Sequence, residues 1–195
     1  MKLRLLSLEE TKRIYDRYMV RDFPPAERKP FASIRQLMEA GLYEPLGAEA
    51  EDGRLLAYAW QTVVPGCASA LLDYFAVLPE GRGRGTGTAV LRALAARDAP
   101  HRDSLIIECE HPAEAPDPAA ARRRIGFYLR AGARPTAMES RLFGVRYLIY
   151  AMPCGAAVPD ADINADLQAI YRATVPEPYY RGQVIFYGGT GKLGT

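Results

Sequence analysis

Cysteine is scarce and unpatterned in this sequence. Cys67, Cys109 and Cys154 are three in number, far apart, with no CxxC spacing. An odd, unspaced set argues against a disulfide framework and a thiolate zinc site, and reads as three small hydrophobes in a reducing compartment. Histidine is scarcer still: His101 and His111 stand without a second ligand cluster, so no metal is expected. No window approaches the ~20 apolar residues of a membrane helix. The opening Met1-Lys2-Leu3-Arg4-Leu5-Leu6-Ser7-Leu8-Glu9-Glu10 turns acidic too soon for a signal peptide. An excess of either charge is also missing, since 25 Lys+Arg face 23 Asp+Glu for a net +2. That balance gives no reason to expect nucleic acid or a membrane surface as partner. A cytoplasmic globular protein is the expectation. With 195 residues, 49% of them hydrophobic, the chain can bury a good core as one domain, or one domain with an added arm.

What is present organises into alternating periods. Residues 2–6 read as a short strand. Ser7 with Glu10 is a capping box opening a helix at about residue 8, with Ile14 and Tyr18 on its buried stripe. Phe23-Pro24-Pro25 stops it. A second helix fits after Pro30, with Ile34, Leu37, Met38 and Gly41 at helical spacing. Residues 43–50 and 54–64 read as strands around the turn Glu51-Asp52-Gly53. Residues 68–78 form the most apolar run and a central strand. A helix is predicted over 86–98, a strand over 104–110, and a helix from the cap Asp117-Pro118 to Gly132. Residues 136–152 supply two strands turning at Gly144, and 161–173 a last helix. The order β-α-α-β-β-β-α-β-α-β-β-α predicts an α/β fold: a mixed, mostly antiparallel sheet flanked by helices. The Tyr-rich tail after Thr174 either pairs as an edge strand at 183–187 or wraps the surface. As an interface it would allow a homodimer.

One loop stands out. Pro79-Glu80-Gly81-Arg82-Gly83-Arg84-Gly85-Thr86-Gly87-Thr88 joins the central strand to a helix. Closely spaced glycines let backbone approach a ligand. The amides and positive dipole end of a helix start favour an anion, and Arg82 and Arg84 add donors for phosphate oxygens. The plain alternative is a flexible connector. A dinucleotide fingerprint fails, because Thr88 or Thr86 stands at the third glycine position; no Gly-Lys-Ser/Thr follows for a P-loop. The tail Gly188-Gly189-Thr190-Gly191-Lys192-Leu193 imitates a P-loop but has Phe186 at the first glycine and Leu193 for Ser/Thr, and is set aside.

Arg82-Gly83-Arg84-Gly85-Thr86-Gly87 fits Gln/Arg-x-x-Gly-x-Gly/Ala, and so resembles the acyl-CoA loop of the GNAT superfamily of N-acetyltransferases. Arg124-Ile125-Gly126-Phe127-Tyr128-Leu129-Arg130-Ala131-Gly132-Ala133 resembles that family's fourth-helix motif, with Ala133 where Phe is usual. The resemblance covers about residues 2–152, which it implies is a GNAT domain; residues 153–195 would be an extension packing on it.

The resemblance implies direct attack of a primary amine, on a small molecule or a peptide, on the thioester of acetyl-CoA, with no metal. It assigns the pyrophosphate to the amides of Arg82, Gly83, Arg84, Gly85, Thr86, Gly87 and Thr88. Phe75, Ala76 and Val77 would line the pantetheine arm by strand-like pairing, Val77 N–H serving the thioester oxygen. Tyr128 would protonate the leaving thiolate, or else be an ordinary core-edge tyrosine beside Phe127. Ile107-Glu108-Cys109 nominates Glu108 as the base, with Glu110 and Asp73 as rival acids that would face the acceptor; each could instead pair with a nearby arginine. The stretch His111 to Ala121 is longer than the family's usual turn. His111 reads as a solvated strand end and Trp60 as core. A non-catalytic acyl-CoA-binding module is the alternative to an enzyme; a nucleotide-dependent enzyme would lack its expected acidic positions. Charge is also segregated: residues 103–117 carry five acids and no Lys or Arg, residues 118–134 five arginines and no acid. That pattern suits a phosphate-rich ligand on one side and a cationic amine on the other.

Overall fold

The computed structural model describes residues 1–188 and 191–193. Strands β1 (Lys2–Leu5), β2 (Tyr43–Glu49), β3 (Leu55–Thr62), β4 (Ser69–Val77), β5 (Ser104–Glu110), β6 (Arg134–Leu142), β7 (Val145–Pro153), β8 (Val184–Gly188) and β9 (Gly191–Leu193) are hydrogen-bonded in the order β1-β2-β3-β4-β5-β7-β6-β8-β9. β4 and β5 pair in parallel, Ser69, Ala70 and Leu71 opposite Ser104, Leu105 and Ile106. β1–β2, β2–β3, β5–β7, β6–β7, β6–β8 and β8–β9 are antiparallel. This is the mixed, mostly antiparallel sheet expected. The helices are α1 (Leu8–Ile14), α2 (Val20–Asp22), α3 (Phe31–Glu39), α4 (Thr86–Asp98), α5 (Pro118–Ala131), α6 (Asp160–Thr174) and α7 (Glu177–Gln183). Among the described residues no helix is long and apolar enough to cross a membrane.

The chain divides into two compact units: Met1–Val63 with Asp73–Ala93, and Val64–Leu72 with Leu94–Thr195. In the first, the capping box forms as the sequence dictates, Glu10 N donating to Ser7 Oγ and Ser7 N to Glu10 Oε2. α1 then passes into a π-helical turn, Tyr15–Met19, in which Val20 N donates to Tyr15 O. The sequence reading missed this turn. Its core gathers Ile14, Met19 and Ile34 from the helices with Tyr43, Tyr58, Trp60 and Tyr74 from the strands. Trp60 is fully buried, with the Tyr74 ring edge-on at 6.3 Å.

In the second unit, Asp117 caps α5 by accepting from Ala120 N at 2.9 Å, and Gly132 ends it at φ +114°. Ile163, Leu167, Ile170 and Tyr171 of α6 bury against Leu71, Ile106, Met138, Ile149 and Phe186. The tail holds a helix the sequence reading missed, α7, and then pairs: Val184 to Tyr187 lie opposite Leu142 to Glu139 of β6. Of the P-loop imitation, Gly189 and Thr190 lie outside the described residues, and Gly191–Leu193 is a strand, not a phosphate loop.

Candidate functional site

The glycine-rich loop leaves β4 through a 3-10 turn, Pro79–Gly81. Leu78 N donates to Leu56 O at 2.8 Å, tying the exit to β3. Gly81 packs against the same carbonyl: a Cβ there would lie 2.9 Å from Leu56 O, so a side chain is excluded. Gly83 and Gly85 have φ of +74° and +73°, alternating with Arg82 at −69°. Arg82 itself is extended (ψ 156°), and the two left-handed positions are ones glycine takes without strain and where no Cβ stands between the backbone and a ligand. α4 begins at once, Ala89 N donating to Gly85 O at 3.0 Å. The first-turn amides of Thr86, Gly87 and Thr88 have no carbonyl behind them within the helix, so they remain donors. Arg84 is exposed. Arg82 is exposed but folded back, its Nε donating to Val77 O at 3.0 Å. The residues present fit a pyrophosphate. The arginine also occupies a carbonyl on the stretch expected to pair with pantetheine, beside half-buried Phe75 and Ala76.

Asp73 lies four residues before Val77 on β4, its side chain 5% exposed. Lys29 Nζ sits 2.8 Å from both carboxylate oxygens, and Thr62 Oγ1 donates to Oδ2 at 2.9 Å. Both partners were missed from sequence. The signal for them was present, because an acid inside an apolar strand must be paired. The partners' identity was not, since Lys29 is 44 residues away. Of the acids in the first unit, Asp73 is therefore already bound to an internal cation.

The remaining candidates belong to the second unit. Tyr128 is buried on α5, its ring 5.2 Å from Phe127. Burial, then the neighbouring Cys109, push its phenol well above the ordinary value. It therefore stays protonated at neutral pH. Glu108 accepts from Tyr171 Oη at 2.7 Å and Ser140 Oγ at 3.4 Å, so it faces α6. Cys109, next along β5, is buried, and its thiol is pushed up to about 12 by burial. Glu110 lies 3.6 Å from Arg124 of α5. Glu108 and Glu110 thus have different partners. His111 Nδ1 accepts from Ala113 N, as a strand-end residue would. The acidic block is paired in space: Glu110 with Arg124 and Asp117 with Arg123 of the basic block, and Glu114 with Arg141 and Arg146 beyond it. Among the described residues no group of three or more His, Cys, Asp or Glu is placed to hold a metal.

Comparison with solved structures shows that the chain has the fold of GNAT-family acetyltransferases. A GNAT-family protein of Bacteroides thetaiotaomicron, named as an acetyltransferase, is similar at TM-score 0.70 and 18% identity, over 92% of this chain and 98% of that one. The ribosomal-protein-S18-alanine N-acetyltransferase of Escherichia coli matches at 0.59 and 19%, over 80% and 96%. The spermidine N-acetyltransferase of Vibrio cholerae, solved in complex with CoA and spermine, matches at 0.58 and 10%, over 78% and 94%. No family model and no curated protein matches the sequence.

Proposed function

We propose that the chain is an acetyl-CoA-dependent N-acetyltransferase acting on a primary amine, on a small molecule or a peptide. The observation that carries this reading is the cradle at Gly81–Thr88: a glycine with no room for a Cβ, two left-handed glycines, and the first turn of α4. Acetyl-CoA supplies an activated acetyl thioester. The chain's own residues do the rest. The amides of Arg82 through Thr88 hold the pyrophosphate, with Arg84 as a guanidinium donor. Val77 N–H stabilises the carbonyl oxygen where charge develops. Tyr128, kept a phenol by its burial, delivers its proton to the departing thiolate, which is the weaker base of the two.

Glu108 is the proposed base, and the proton it accepts has to compete with the donors Tyr171 and Ser140. Glu110 and Asp73 are its rivals. The fold of known spermidine and ribosomal-protein acetyltransferases supports the reaction class.

The test has two parts. Acetyl-CoA is expected to raise the melting temperature where nucleotides do not, and thiol release across an amine panel then separates an enzyme from a non-catalytic acyl-CoA-binding module. Tyr128→Phe should lower kcat about 100-fold with acetyl-CoA affinity nearly unchanged. Wild-type turnover in that variant would remove Tyr128 from the reaction.

A further inference from the structure

Asp73 stands in the interior of β4, and a carboxylate there has to be matched with donors. The match is made by one ammonium and one hydroxyl: Lys29 Nζ at 2.8 Å from each oxygen, and Thr62 Oγ1 at 2.9 Å. The ring of Tyr74 lies 5.7 Å from Nζ, within reach of a cation–π attraction. Tyr43 of β2 is a further neighbour of the carboxylate. Together these side chains form a seat for an ammonium ion.

The seat and its occupant are held differently. Tyr43, Thr62, Asp73 and Tyr74 all belong to strands. Lys29 belongs to no helix or strand, and lies between the 3-10 turn Pro25–Glu27 and α3. Its backbone is anchored, for Lys29 N donates to the Tyr74 hydroxyl at 2.7 Å and that hydroxyl donates to Glu27 O at 2.9 Å. Its ammonium, however, rides on a flexible four-carbon stem, and the side chain is 26% exposed. Water reaches the cation while the seat beneath it is fixed. A buried ion pair also adds little stability over apolar residues of the same volume.

The distance along the strand supplies the chemistry of what exchanges. Four residues of strand separate Asp73 from Val77, a span of ~13 Å. We propose that the Asp73 seat binds the far ammonium of a dicationic acceptor, displacing Lys29, while the acceptor's other nitrogen reacts near Val77. This rests on the transferase reading above. The ligand class is an aliphatic diamine or polyamine whose terminal nitrogens lie on the order of 10 Å apart. One ammonium replaces another on the same carboxylate, and Lys29 swings into water. Lys29 is thus an internal competitor, and the apparent affinity for the diamine is reduced by the fraction of molecules in which Lys29 fills the seat.

The experiment compares 1,8-diaminooctane with octylamine, which has the same chain and one charge fewer, by isothermal titration calorimetry and thermal melts. Wild-type protein is expected to favour the diamine. Lys29→Ala should tighten diamine binding about tenfold. The diamine, and not octylamine, should also restore the melting temperature that the variant loses. Lys29→Arg, which keeps the competitor, should stay near wild type. The double variant Lys29→Met/Asp73→Leu removes the pair as a unit and should bind both amines alike. Diamine affinity unchanged or weakened in Lys29→Ala, with no thermal rescue, overturns the proposal. The two readings fail separately. If the calorimetric pattern holds but neither amine is acetylated, the transferase reading falls and the seat stands. If both amines are acetylated with equal KM and Lys29→Ala alters neither, the seat falls and the transferase stands.

Discussion

Asp73 on β4 and Glu108 on β5 are both carboxylates in the middle of apolar strands, yet the first is met by an ammonium and a hydroxyl and the second by two hydroxyls. Each belongs to a different compact unit. Lys29 is partly exposed and comes from an irregular segment, whereas Tyr171 is buried in α6 and Ser140 is fully buried in β6. The contrast teaches what a buried acid can be for. A partner on a water-reached stem can be replaced by another cation. A partner inside a packed helix cannot leave without opening the core, so Glu108 ties α6 to β5 whatever else it does.

Removing one partner from each acid gives the largest test of that contrast. Lys29→Ala leaves Asp73 without its cation and should cost about 3 kcal/mol in urea melts, at the lower end for a broken buried pair because Lys29 is partly exposed. Tyr171→Phe removes a neutral donor and should cost about 1–2 kcal/mol, with no recovery on adding amines. Equal costs, or amine rescue of Tyr171→Phe, would break the comparison. Glu108→Gln sharpens it at the level of activity. A shifted pH–rate profile assigns Glu108 the proton; an unaltered one leaves it the structural tie alone and moves the base to Glu110.

The smallest effect belongs to a surface acid. Hydrogen bonds from Arg4, then Ser7, hold the Glu10 carboxyl at about 2. Because the folded value lies below the unfolded one of about 4.3, its contribution is present above that pH and is lost as pH falls toward 2. Glu10→Gln should cost about 0.5–1 kcal/mol at pH 7 and flatten stability between pH 4 and 2, read by urea midpoints across that range.

Local signals were read correctly from sequence where one residue decides a terminus. Ser7 with Glu10, Asp117 with Pro118 and Gly132 each act on backbone atoms a few positions away, and each does so here. The glycine loop was legible for the same reason. The partners of the acids were not: Lys29 is 44 residues from Asp73 and Tyr171 is 63 from Glu108, and periodicity says nothing about which elements meet. α7 was hidden by composition. Its Pro176 and Pro178 look like chain breakers, but the first turn of a helix uses none of the N–H groups that proline lacks. β8 was open to two readings because a short strand in a tail carries little more pattern than a wrapped segment; its pairing depends on β6 and β9.

The π-helical turn at Tyr15–Met19 has a consequence for the descent of this chain. Such a turn holds one residue more than the α-helix on either side of it. Against a relative with an unbroken α-helix here, the inserted residue falls inside the helix and not in a loop, so an alignment that confines gaps to loops will be one residue out of step on one side of the turn. Tyr15, Tyr18 and Met19 will then be compared with the wrong positions.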